Sequence, residues 1–139
     1  MLAITVGPLR FTARLERQAA PLTCEALARL LPVRSKIIQA RWSGEAAWIP
    51  FGWDLELGLG PENATSYPGA GELLLYPGGV SEVEILFPYG RACFASTAGQ
   101  LAGNHFATVE EGRERLPELG RLVVWEGAHD ITIEADANP

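Results

Sequence analysis

The chain has 139 residues, of which 47% are hydrophobic and 20% charged, with a net charge of -6 and an isoelectric point near 4.9. That length fits one domain able to bury a substantial core, and the acidic balance without any basic run excludes nucleic acid and anionic membrane as general partners. Leu2–Val6 passes straight into Gly7-Pro8, with neither the basic leader of a signal peptide nor an apolar run long enough for a membrane span, so a cytoplasmic address is expected.

Alternation at period two opens the chain. Leu2, Ile4 and Val6, then Leu9, Phe11, Ala13 and Leu15 against Arg10, Thr12, Arg14 and Glu16, predict a hairpin of half-buried strands around Gly7-Pro8. From Pro21 the period changes. Cys24, Leu27, Ala28 and Leu31 share one helical face, Pro21 suits a first turn and Pro32 ends the run, which predicts one short helix. Ile37–Trp42 and Ala46–Ile49 flank Ser43-Gly44 and predict a second hairpin.

Residues 52–71 are rich in glycine and proline without a sustained period, so 58–69 reads as a long ordered loop of the kind that builds sites. Strand pattern returns at Leu73–Tyr76, turns at Pro77-Gly78-Gly79, and resumes with Val83, Ile85 and Phe87 alternating with Glu82, Glu84 and Leu86. Pro88-Tyr89-Gly90 is expected to reverse the chain into a strand over Arg91–Ala95. A helical turn at Glu114–Leu119 with Gly120 as its left-handed cap is expected next, then a last hairpin of Leu122–Trp125 with Ile131–Glu134, turning at His129-Asp130. Many short antiparallel strands with one short helix and no βαβ alternation indicate an all-β fold, a closed or nearly closed barrel, because closure removes exposed edges. A single domain over 1–135 and a C-terminal tail at 136–139 are expected.

The segment Ser96–Phe106 is the most suggestive stretch for function. Gly99 and Gly103 punctuate a run that carries Gln100, Asn104 and the imidazole of His105, offering close backbone approach with uncharged donors and acceptors. His105 could act as acid or base, or hold a loop down; Asn104 could bind a ligand or cap a turn. Ser96 near His105 suggests a nucleophile and base, but no Gly-x-Ser-x-Gly elbow accompanies it and no orienting carboxylate can be named. Trp53 and Tyr67 in the long loop could floor a pocket, and Arg91 with Phe94 could bind a polar group. Cys24 and Cys93 lack metal or redox spacing and read as buried small hydrophobes; His105 and His129 lie in separate segments; no phosphate-binding glycine loop occurs. No metal and no organic cofactor is implied.

Trp42-Ser43-Gly44-Glu45, Gly71–Gly78, and above all Phe94-Ala95-Ser96 with Gly99–Phe106 resemble an uncharacterised bacterial family with a cyclophilin-like fold, and the likeness covers nearly the whole chain. The resemblance implies a closed eight-stranded barrel. Cyclophilins proper carry a Phe-x-Arg segment and a Gln-x-Gly-Asp run, neither of which is present, so prolyl isomerase activity does not carry over. The combined expectation is a barrel that binds a small polar or anionic metabolite in a pocket formed by the 58–69 loop and the 96–106 segment. Ser96, Gln100, Asn104, His105, Tyr67, Trp53 and Arg91 would contact it. Two other readings stand beside this one: a hydrolase or isomerase of a small amide or carbonyl compound using His105, and an oligomeric interaction module or accessory subunit.

Overall fold

The computed structural model describes residues 1–136. In chain order the elements are β1 (Leu2–Val6), β2 (Leu9–Leu15), α1 (Pro21–Leu30), β3 (Val33–Gln39), β4 (Gly44–Gly52), β5 (Ala64–Thr65), β6 (Glu72–Tyr76), β7 (Val83–Ala92), β8 (Ala95–Ser96), β9 (Gly99–Gln100), β10 (Gly103–Glu111), a 3₁₀ turn (Arg113–Arg115), α2 (Leu116–Trp125) and β11 (His129–Ala135). Eight antiparallel strands form a closed ring in the order β1, β2, β10, β6, β7, β4, β3 and β11, and β11 returns to β1. This is the mainly-β, closed eight-stranded barrel that the sequence led us to expect. Closure leaves no unpaired edge on the ring.

Period-two alternation explains the interior. Ile4, Val6, Phe11, Ile49, Leu73, Leu75, Ile85, Phe87, Phe106 and Ile133 are fully buried in one core, with Phe11 and Phe87 edge-to-face at 5.4 Å. α1 adds Cys24 and Leu27 to this core; α2 adds Leu116, Leu119 and Val123.

Three local expectations are corrected. Leu122–Trp125 is helix, not strand, because Leu116, Leu119, Gly120 and Val123 recur at helical spacing and bury one face of α2. Gly120 is therefore inside the helix and is no left-handed cap; a Cβ there would stand 2.3 Å from Cε1 of Tyr89, so the helix needs glycine to lie against that ring. His129-Asp130 begins β11 and is not a turn.

Pro88-Tyr89-Gly90 does not reverse the chain either, and β7 runs through it to Ala92. The β4–β7 register shifts between Gly44 and Ala46, and Pro88 pairs opposite Ala46 beside that irregularity. On the other side the pairing with β6 has already ended at Leu86, so the missing proline N–H costs no ladder bond there. Gly90 makes room for the Glu45 carboxylate, which would lie 2.6 Å from a Cβ. Cys24 is buried as expected and its thiol is pushed up by burial; Cys93 is only half-buried.

Candidate functional site

A second apolar cluster lies on the outside of the barrel. Alternation sends Leu74 and Tyr76 of β6, Leu86 of β7, and Ala46 and Trp48 of β4 outward, where Phe94 and Leu101 cover them. The covering segment is the small β8–β9 hairpin with its flanks. Ser43 pins it: its Oγ accepts from Ala95 N at 3.1 Å and donates to Ala95 O at 3.2 Å, while its carbonyl accepts from Cys93 N. Phe94 N donates to Ser66 O at 2.7 Å, and the Phe94 ring meets Tyr76 edge-on at 5.8 Å. Gly103 permits the close fit, since a Cβ would lie 2.9 Å from Leu74 Cβ and 3.1 Å from the Phe94 ring.

Where this roof stops, a cavity of about 230 Å³ opens between the barrel wall, the β3–β4 turn and the β6–β7 turn. Trp42, Trp48 and Trp53 line it together with Arg41, Glu82, Glu84 and Ser96. Trp53, Ser81 and Glu82 also border an adjoining apolar hollow of about 370 Å³ with Leu55, Leu57 and Leu59. The cavity thus joins flat apolar walls to two carboxylates and one guanidinium, the mixture that small-molecule sites use.

Glu84 is the exceptional residue there. It points outward from β7, opposite Pro50 on one side and Tyr76 on the other, and is only 6% exposed. Among the described residues, its carboxyl has no hydrogen-bond or ion-pair partner. Burial, with a lesser contribution from the nearby Glu82 charge, pushes its pKa up to about 7. Groups perturbed in this way are concentrated at functional sites.

The residues singled out from sequence fall in several places. Trp53 and Ser96 line the cavity, although the Ser96 hydroxyl is also engaged locally, accepting from Ala98 N at 3.0 Å. Tyr67 and Arg91 lie together on a separate shallow hollow with Glu45, whose carboxylate accepts from Arg91 N. Gln100 is exposed in the hairpin strand β9. Asn104 is 1% exposed, and its amide is fully engaged: Nδ2 donates to Thr23 Oγ1 at 3.1 Å and Gly60 O at 3.0 Å, and Oδ1 accepts from Glu62 N at 3.0 Å. The Glu62 carboxylate completes this brace by accepting from Thr23 N, Thr23 Oγ1 and Leu22 N. Partial desolvation works against ionisation of Glu62, but those bonds hold its pKa below the ordinary value.

His105 sits two strands from β7, in one row with Leu74, Leu86 and Trp48. Its Nε2 is 2.8 Å from Thr108 Oγ1, and Thr108 donates onward to Glu16 at 2.8 Å. With that hydroxyl proton committed to Glu16, His105 Nε2 is the donor to Thr108. The Thr108 bond is the main reason that the Glu16 carboxyl is held below its usual range. The 58–69 loop and the 96–106 segment do meet, through β5 pairing and the mutual Asn63–His105 bonds, but they close on hydrogen bonds, and each cavity borders only one of the two: Gly58 and Leu59 line one, Ser96 and Thr97 another, and Tyr67, Pro68 and Gly69 the third.

Reading from sequence missed Glu84, Trp42 and Trp48 as one group. The available signal was apolar residues on both faces of neighbouring strands, Leu73-Leu74-Leu75 and Ala46-Ala47-Trp48-Ile49, which implies cover on both sides. Among the described residues, no group of three or more His, Cys, Asp or Glu is placed to hold a metal ion, and no helix is long and apolar enough to cross a membrane.

Fold and site together define a closed antiparallel barrel with a roofed, tryptophan-lined recess on its outer wall. The chain belongs to the family described as protein of unknown function (DUF3830), which matches residues 2–135. Among solved structures it is similar to one described as McbB in complex with tryptophan, at 18% identity and a TM-score of 0.75 over 100% of this chain and 46% of that one. It therefore spans less than half of that neighbour's length. It is also similar to the hypothetical protein AF2241 from Archaeoglobus fulgidus, at 15% identity and a TM-score of 0.59 over 97% of this chain and 93% of that one. No curated protein matches the chain.

Proposed function

We propose that this protein binds a small polar metabolite in the recess walled by Trp42, Trp48 and Trp53, with Glu84 as the group that fixes the ligand's orientation. The observation that carries the reading is Glu84, a residue only 6% exposed whose carboxyl lines the cavity and has no hydrogen-bond or ion-pair partner among the described residues. A desolvated carboxyl without protein partners does not help the fold, whereas a ligand in the cavity can supply the missing partner. A volume of about 230 Å³ suits a metabolite rather than a peptide or cofactor. The structural neighbour, of which this chain spans 46%, is described in complex with tryptophan, a small amphiphilic molecule, which agrees with a small-molecule reading. Trp53 and Ser96 keep the ligand-contact role expected of them.

The test is a thermal-shift screen of a metabolite panel against wild type, Trp48→Leu and Glu84→Gln. A compound that raises the wild-type Tm and loses most of that effect in both variants is the expected result. If no compound shifts the wild type, or the shift survives both substitutions, the recess is not the site.

A second reading is supported by the His105–Thr108–Glu16 chain, which holds an imidazole in a defined tautomer on the outer face of β10. It makes the protein an acid–base catalyst acting on a small carbonyl or amide compound. It requires turnover that collapses in His105→Ala while the fold survives.

A further inference from the structure

The recess assigned above also specifies what its ligand carries, and the inference rests on that assignment. We infer that the recess is built for a positively charged amine, an ammonium or alkylated ammonium head seated between the three indole rings and the Glu84 carboxylate.

Two observations lead there. Among the described residues, Glu84 receives no N–H, hydroxyl or cation, so an uncharged apolar ligand would leave it as unpartnered as before. Above about pH 7, where Glu84 is ionised, an anionic ligand head would meet like charge at both Glu84 and Glu82. A cation complements the charge of both lining carboxylates.

The walls agree with this. Tryptophan presents the most electron-rich aromatic face for a cation, and cages of such rings are a recurring means of holding alkylated ammonium groups. Trp48 is half-buried, whereas Trp42 and Trp53 are 56% and 65% exposed, so two rings present open faces beside the cavity that a guest could cover. A bare metal ion is poorly served, because two carboxylates offer too few oxygen ligands. Arg41 is the cation among the lining residues; it stands exposed at the rim, where it could receive an acidic tail on the same ligand.

The charge requirement makes binding depend on pH. The charged or titratable groups around Glu84 are Glu82 from the β6–β7 turn, Arg41 from the β3–β4 turn and Tyr76 from β6, whose hydroxyl already accepts from Val80 N; β4 contributes only Pro50 opposite it. In the empty protein burial favours neutral Glu84, with a midpoint at about 7. A cation needs the ionised form, so affinity should be about tenfold lower near pH 6 than near pH 8.

The experiment is a tryptophan-fluorescence titration on a Trp125→Phe background, which removes an indole that is 82% exposed and outside the recess lining. The probes are choline and its uncharged analogue with carbon in place of the quaternary nitrogen. Saturable binding of choline, with the analogue weaker by about tenfold or more, is expected. That preference should collapse in Glu84→Gln and fall by about threefold in Glu82→Gln.

Equal affinity for the two probes overturns the charge inference and leaves the recess reading intact, as does choline affinity that is flat between the two pH values. Choline binding unchanged in both Glu84→Gln and Trp48→Leu overturns the recess as well. Binding of neither probe overturns the inference, and the metabolite screen then decides the recess separately.

Discussion

Asn104 and Glu84 are buried almost equally, at 1% and 6% exposure, yet they are treated in opposite ways. Every donor and acceptor of the Asn104 amide is matched, and the match joins the long loop to α1 and β10. Among the described residues, the Glu84 carboxyl has no hydrogen-bond or ion-pair match. The difference separates polar groups that build a fold from those that the fold merely tolerates. A satisfied network stabilises the chain; an unsatisfied buried acid lowers stability and is informative about function for that reason.

The comparison breaks most visibly if Asn104 is truncated. Asn104→Ala leaves Gly60 O, Glu62 N and Thr23 Oγ1 short of a partner, and should cost about 3 kcal/mol or more in denaturant unfolding. A loss below about 1 kcal/mol would mean that water replaces the amide and that the brace is no weld.

Glu84→Gln should act in the reverse direction. In the unfolded chain this carboxyl ionises near its ordinary value of 4.5, and in the fold at about 7. Between those values the native state holds a proton that the unfolded state has lost, so stability falls as pH rises through the window and stays reduced above it. The glutamine variant should therefore be more stable than wild type by about 2 to 3 kcal/mol near pH 8, and nearly equal to it near pH 4. A variant less stable at both pH values would show that Glu84 has a structural partner.

Smaller effects sharpen the picture of the roof. Gly103→Ala drives a methyl against Leu74 and Phe94 and should cost about 2 kcal/mol, along with part of the ligand-induced thermal shift. Ser43→Ala removes both hydrogen bonds to Ala95 and should cost about 1 kcal/mol in the same assays. His105→Ala should fall below about 1 kcal/mol and leave binding in the recess unchanged, since its side-chain bond is to Thr108 on the far side of Leu74 and Leu86.

Much of the barrel was legible because strand alternation is a local signal. The pairs Leu2–Val6 with Leu9–Leu15 and the run from Val83 to Phe87 declare their buried face within a few residues. Leu122–Trp125 misled because valine and tryptophan favour strands locally, while the helical spacing that overrides them reaches back to Leu116. Pro88 and Gly90 misled because their conformational signals were absorbed by a bulge and a close side chain, which depend on β4.

The site was less legible. Glu84 reads as an ordinary solvated residue in an alternating strand until the 93–101 segment is known to fold over that face. Asn104 and His105 stood out by type and by glycine spacing, but their partners Thr23, Gly60, Asn63 and Thr108 are set by tertiary contacts. The 137–139 part of the expected tail lies outside the described residues.

The most direct measurement is an NMR titration of the Glu84 side-chain carboxyl in the free protein and with a bound ammonium probe. A midpoint at about 7 in the empty protein, moving to lower pH when choline is bound, is the expected result. A midpoint at the ordinary 4.5 that choline does not move would contradict the assignment of Glu84 as the waiting partner of a ligand.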